Sequence, residues 1–143
     1  MARIITAILS VIMVLLLVDA APLFSRQIGD VQCNVARLAI VSDLAQTNSL
    51  LSKITGTDAA TTSAVSTAKS GLSSAGDGIK TIAAALIQGQ AAPADARNQT
   101  GEGLQTALTA LNGLNATDPA VASTISKLNE AISAGQSVVS DCN

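Results

Sequence analysis

Past residue 20, the side chains able to carry acid–base chemistry are Asp30, Asp43, Asp58, Asp77, Asp95, Glu102, Asp118, Glu130 and Asp141, with scattered lysines and many serines. Two carboxylates can run a hydrolysis when an apolar setting raises the pKa of one of them. No pair in this chain has such a setting. Asp58, Asp95 and Asp118 instead stand at helix starts, where the helix dipole favours negative charge. A serine nucleophile needs a neighbouring base, and histidine is absent from all 143 residues. That removes Ser-His-Asp triads, Cys-His dyads and His-ligated zinc or haem. Gly76-Asp77-Gly78 and Gly101-Glu102-Gly103 do not run on into the Gly-Lys-Ser/Thr of a phosphate loop. Eight basic against ten acidic residues give a net charge of −2 with no basic cluster, so nucleic acid is not an expected partner. The expectation is a protein that is not an enzyme and uses no cofactor and no metal.

The compartment is legible at the start of the chain. Met1, Ala2 and Arg3 precede an apolar run from Ile4 to Val18, and Val18-Asp19-Ala20 presents small or apolar residues to a signal peptidase. The alternative is an uncleaved membrane anchor, but the run is short beside the roughly 20 residues a bilayer span needs. We therefore expect a signal peptide over 1–20, no transmembrane segment in the mature chain, and a secreted, extracellular protein. In an oxidising compartment two thiols of one small domain usually pair. Cys33 and Cys142 are the only cysteines. A Cys33–Cys142 disulfide is expected, with free thiols or an intermolecular bridge as the alternatives. Asn98-Gln99-Thr100 and Asn115-Ala116-Thr117 fit the N-glycosylation pattern, making Asn98 and Asn115 candidate attachment sites.

The positioning elements are helices. Val65, Ala68, Leu72, Ala75, Ile79, Ile82 and Leu86 recur at steps of three and four, as do Val121, Ile125, Leu128, Ile132, Gly135, Val139 and Cys142. Ile40, Leu44, Thr47, Leu51 and Ile54 form an earlier stripe, led by Val31, Val35 and Leu38, and Leu104, Leu108, Leu111 and Leu114 supply the fourth. Period-two alternation is missing at any useful length. Thr55-Gly56-Thr57-Asp58 and Asn115-Ala116-Thr117-Asp118-Pro119 each close one stripe and cap the next. Gln88 to Asp95 reads as a linker ending in a further cap. The predicted fold is all-α: a single helical domain over 21–143 and an antiparallel up-down-up-down four-helix bundle. Its two hairpins span 30–88 and 96–142, with a linker at 89–95.

At an offset of sixty positions Leu44, Leu51, Thr57 and Asp58 recur as Leu104, Leu111, Thr117 and Asp118. This fits an internal duplication, or convergence within an alanine-, serine- and threonine-rich composition. Up-down-up-down topology also brings the start of the first helix beside the end of the fourth, which suits a Cys33–Cys142 bridge. Glycine is the weak point. Gly71, Gly76 and Gly78 fall in the second stripe, and each costs about 1 kcal/mol against alanine in a helix interior. The stretch 73–78 is a candidate for a kink or a break, and the residue types leave open whether the helix runs through it.

The leader, the opening Cys33-Asn34-Val35-Ala36-Arg37-Leu38 and the Ala/Ser/Thr-rich heptads resemble two groups of small secreted helical proteins. One is the insect type with the TsetseEP domain, which implies a gut or body-fluid protein. The other is the fungal hydrophobic surface binding protein A type, which implies adsorption to hydrophobic surfaces. Amphipathic helices with few charges suggest the same kind of contact: an apolar ligand, lipid or hydrophobic surface bound through the seam of Ile79, Ile82, Leu86, Leu108, Leu111, Ile125, Leu128 and Ile132. The competing expectation is an extracellular structural or immune-related protein that acts only through protein partners. On this topology the two hairpins would part like a clamshell, held together at the disulfide end.

Overall fold

A computed structural model describes residues 31–142. The expected signal peptide at 1–20, residues 21–29 and Asp30 lie outside the described residues. Four helices follow one another: α1 (Val31–Leu51), α2 (Ala59–Ile87), α3 (Ala94–Asn112) and α4 (Pro119–Asp141). They form a four-helix bundle, and no strand occurs among the described residues.

Local chemistry sets the helix ends. Asp58 accepts a hydrogen bond from the Thr61 N–H at 2.9 Å to start α2. Asp118 accepts from the Ala120 N–H at 2.8 Å to start α4, with Pro119 in the first turn, where its missing N–H is no loss. The third start differs from expectation. Helix α3 begins at Ala94 behind Pro93, which makes no side-chain cap, and Asp95 lies inside the first turn. Pro93, at φ −59° and ψ 137°, directs the chain into the helix, and Asp95 contributes its charge to the dipole instead of an N-cap. At the end of α2, Gly89 takes φ 70° while the Gly89 and Gln90 N–H groups donate to Leu86 and Ala85 carbonyls. This left-handed stop satisfies carbonyls that the helix would otherwise leave unpaired.

Helix α2 runs without a break through 73–78. Tertiary contact explains why. Gly71, Gly78 and Gly103 are buried where α2 and α3 meet, so the close approach they allow compensates their weak helix propensity. A Cβ built on Gly71 would lie 2.5 Å from the Gly103 carbonyl oxygen, and one on Gly103 would lie 2.5 Å from that of Gly71. A Cβ on Gly78 would stand 2.7 Å from the Ala96 carbonyl oxygen. Helix α2 therefore packs on α3 backbone to backbone.

The tightest neighbours are consequently not the sequence hairpins. Helix α2 packs most extensively on α3, and α1 on α4, whereas α1 with α2 and α3 with α4 share much smaller contacts. The α1/α4 pair is joined by a Cys33–Cys142 disulfide with Cα atoms 5.0 Å apart. Asp43 and Lys127 form an ion pair across it at 3.6 Å. Gly135 makes room for Ile40, whose Cδ1 would lie 3.4 Å from an added Cβ.

Large side chains fill the core mainly at the end holding the turns 52–58 and 113–118. Leu51, Ile54, Leu111 and Val121 are buried there, and Leu128 is fully buried toward mid-helix. At the opposite end, with the disulfide and the 88–93 linker, the buried apolar residues are Cys33, Ala36, Ala85 and Ala96. Three threonines are buried in the bundle. Thr47, Thr100 and Thr124 each donate to the carbonyl four residues back (Asp43, Ala96 and Ala120) at 2.7, 2.9 and 2.6 Å. Bonding back along their own helices lets them pack as small residues without an unmet hydroxyl.

Candidate apolar binding surface

The eight seam residues do not share one environment. Leu111 and Leu128 are fully buried in the central cluster, and Ile79, Leu108, Ile125 and Ile132 are half-buried against it. Ile82 and Leu86 are half-buried near the end of α2 and lie outside that cluster. The structure thus assembles six of the eight around one core. By helix direction it places Ile79, Ile82, Leu86 and Ile132 toward the disulfide end. Leu108, Leu111 and Ile125 stand toward the turns.

The periodicity of α1 is obeyed from Ile40 onward and not before. Ile40, Thr47, Leu51 and Ile54 are buried and Leu44 is half-buried. Val31, Val35 and Leu38, expected to lead into that stripe, face outward at 79, 59 and 71% exposure, and Val41 is half exposed. Their spacing puts them on one broad band of α1. Ile87 and Val139, also exposed, belong to the same end of the bundle. One signal in the sequence marks the outward turn: Cys33, Ala36 and Ile40 form a competing stripe of their own, and that is the stripe buried against α4. Large apolar side chains therefore stand on the outside of the end whose fully buried apolar positions, apart from Cys33, are alanines.

Arg37 stands beside the band, its guanidinium donating to Asn34 Oδ1 at 3.3 Å. Lys127 is held by the Glu130 carboxylate beside it and, across the α1/α4 contact, by Asp43, which together keep its ammonium above the usual lysine range despite partial burial. Asp77 and Lys80 pair at 2.9 Å in the open on α2. Asp58, holding its Thr61 cap, titrates below the usual carboxylate range. These last three arrangements are helix-surface ion pairs or caps. Among the described residues no three Asp, Glu, His or Cys side chains gather as a metal site, and no helix is long and apolar enough to cross a membrane.

Asn98 is exposed in the first turns of α3, and Asn115 is exposed in the turn before α4. Asn115 Oδ1 accepts from both the N–H and the hydroxyl of Thr117, at 3.1 and 2.9 Å. An open groove of about 800 Å³ follows α2 and α3 near the turns. Serine, threonine and alanine line most of it, Glu102 is its one charge, and Leu114 its one large aliphatic side chain. It contains none of the eight seam residues. No family model matches the sequence, and no curated protein or solved structure matches it either.

Proposed function

We propose that this is a secreted, non-enzymatic helical protein that binds apolar material, either lipid or a hydrophobic surface, through the disulfide end of its bundle. The observation that carries the reading is the band of Val31, Val35, Leu38 and Val41 left on the outside of α1. Contiguous apolar surface in water marks a place where something else is covered. The likeness to the fungal hydrophobic surface binding type implies the same class of contact.

The spacing of Val31, Val35 and Leu38, four and three residues apart, also suits docking of another protein's helix. That supports the competing reading, an extracellular protein acting only through protein partners. Adsorption of the purified mature protein to octyl-silica beads and phosphatidylcholine vesicles separates the two. The native protein is expected to adsorb. The double variant Val35→Gln with Leu38→Gln should adsorb at least tenfold less while its urea midpoint stays unchanged, because both residues already stand in water. No adsorption by the native protein, or equal adsorption by the variant, overturns the proposal.

A further inference from the structure

The covalent ties and the packing divide this molecule along one plane. Within α1/α4 the tie is the Cys33–Cys142 disulfide, and within α2/α3 it is the 88–93 linker. Both lie at the same end of the bundle. The two connections between the pairs, 52–58 and 113–118, both lie at the other end. Noncovalent contact divides the same way. Backbone meets backbone at Gly71 and Gly103 inside one pair, and the Asp43–Lys127 ion pair and the Ile40–Gly135 contact lie inside the other. Across the plane the fit is looser: a Cβ added to Gly76 would meet only the Leu44 Cδ2, at 3.8 Å. Fully buried large residues gather near the turns, while at the tied end the buried apolar positions are Cys33, Ala36, Ala85 and Ala96, with Ile79 and Ile132 half-buried beyond them.

We propose that the bundle opens as two rigid helix pairs, α1 with α4 and α2 with α3, which swing apart at the disulfide end about hinges at the turns 52–58 and 113–118. This plane cuts through both sequence hairpins, so it is not the clamshell that the chain order suggests. Parting the hairpins would require pulling α2 from α3 and α1 from α4, the two most intimate contacts in the fold. Opening between the pairs leaves both intact. It preserves every intrahelical hydrogen bond and bends only the two turns, where few backbone bonds need to break. The faces first uncovered are those with Ile79 on α2 and Ile40 and Ile132 on the opposing pair, which share one apolar cluster. The outer band of α1 lies at the same mouth, so it can make first contact and the inner faces then spread on the same surface.

The inference rests on the proposed apolar binding, and the test separates the two. Spin labels on ketone-bearing side chains, which leave the disulfide alone, are placed two at a time at the exposed positions Gln32, Ala84, Arg97 and Gln136 near the disulfide end. Dipolar distances are measured for the protein free and adsorbed to phosphatidylcholine vesicles. The 32–84 and 97–136 distances, which cross the plane, should lengthen by about 10 Å, one interhelical spacing. The 32–136 and 84–97 distances, within the pairs, should stay constant. In a second arm Leu44→Cys and Gly76→Cys are joined by a short bismaleimide across the plane. The joined protein should adsorb at least tenfold less than the same variant left unjoined. Adsorption with all four distances unchanged, lengthening of 84–97 or 32–136, or full adsorption by the joined variant overturns the opening and leaves the binding proposal standing. No adsorption by the native protein overturns both.

Discussion

Replacing Gly71 and Gly101 by alanine, one at a time, should change stability in opposite directions, although both glycines lie inside helices. By helix propensity alone each change should stabilise by about 1 kcal/mol. At Gly101 nothing stands within 4 Å of the new Cβ, so the full gain of about 1 kcal/mol is expected. At Gly71 the methyl would lie 2.5 Å from the Gly103 carbonyl oxygen and 2.9 Å from the Ala107 backbone nitrogen. Both obstructing atoms are main chain, and no side chain can rotate out of the way. The helices must separate by most of an ångström, and overpacking of this kind costs about 3 kcal/mol, the upper end of its usual range. Net of propensity, Gly71→Ala should destabilise by about 2 kcal/mol. The two variants then differ by about 3 kcal/mol, or roughly 12 °C in Tm for a domain near 100 residues. Urea and thermal melts followed by circular dichroism at 222 nm would measure this. A Gly71→Ala protein as stable as Gly101→Ala would refute the backbone contact between α2 and α3, and with it the division into pairs.

Three further predictions concern the caps and the cross-link. Asp118→Ala removes the acceptor for the Ala120 N–H and should cost about 1 kcal/mol in urea unfolding, while Asp95→Ala, which caps nothing, should cost less than half of that. The disulfide spans 109 positions, and its removal by Cys33→Ser with Cys142→Ser should lower stability by up to about 4–5 kcal/mol on the chain-entropy account; a loss under about 1 kcal/mol would show that α4 holds α1 without it. For pH, the Thr61 cap depresses the Asp58 carboxyl in the folded chain. Its contribution is therefore complete above the unfolded carboxylate value of 3.8 and is lost as pH falls through the lower folded value. Urea midpoints between pH 7 and 2 should lose part of their acid fall in Asp58→Asn, which keeps a capping oxygen that does not titrate. An unchanged acid limb would show that the cap carries none of it.

Much of this architecture is local and was readable from residue order. Steps of three and four mark helices, and the side-chain oxygens of Asp58 and Asp118 mark where two of them start. The Cys33–Cys142 pair was readable because the chain has only two cysteines, and the up-down-up-down order sets the start of the first helix beside the end of the fourth. Where a start depends on backbone geometry instead of a capping oxygen, as at Pro93, the capping residue type at Asp95 places it two residues late. The band on α1 was misplaced for a related reason. Val31, Val35 and Leu38 and the stripe Cys33, Ala36 and Ile40 both repeat at helical spacing, and periodicity does not say which of two faces the disulfide will turn inward.

The partner of each helix is decided only in three dimensions. An apolar stripe specifies which face is buried, but any other stripe satisfies it equally well, so the order of the chain suggested hairpins. Glycine breaks that degeneracy. In an isolated helix Gly71, Gly78 and Gly103 are penalties of about 1 kcal/mol each. Brought face to face, they let two backbones approach to a distance that no residue with a Cβ permits. Their cost is local and visible in the sequence, whereas their benefit exists only between α2 and α3. That nonlocal term decides which helices pair and where the looser plane of the bundle lies.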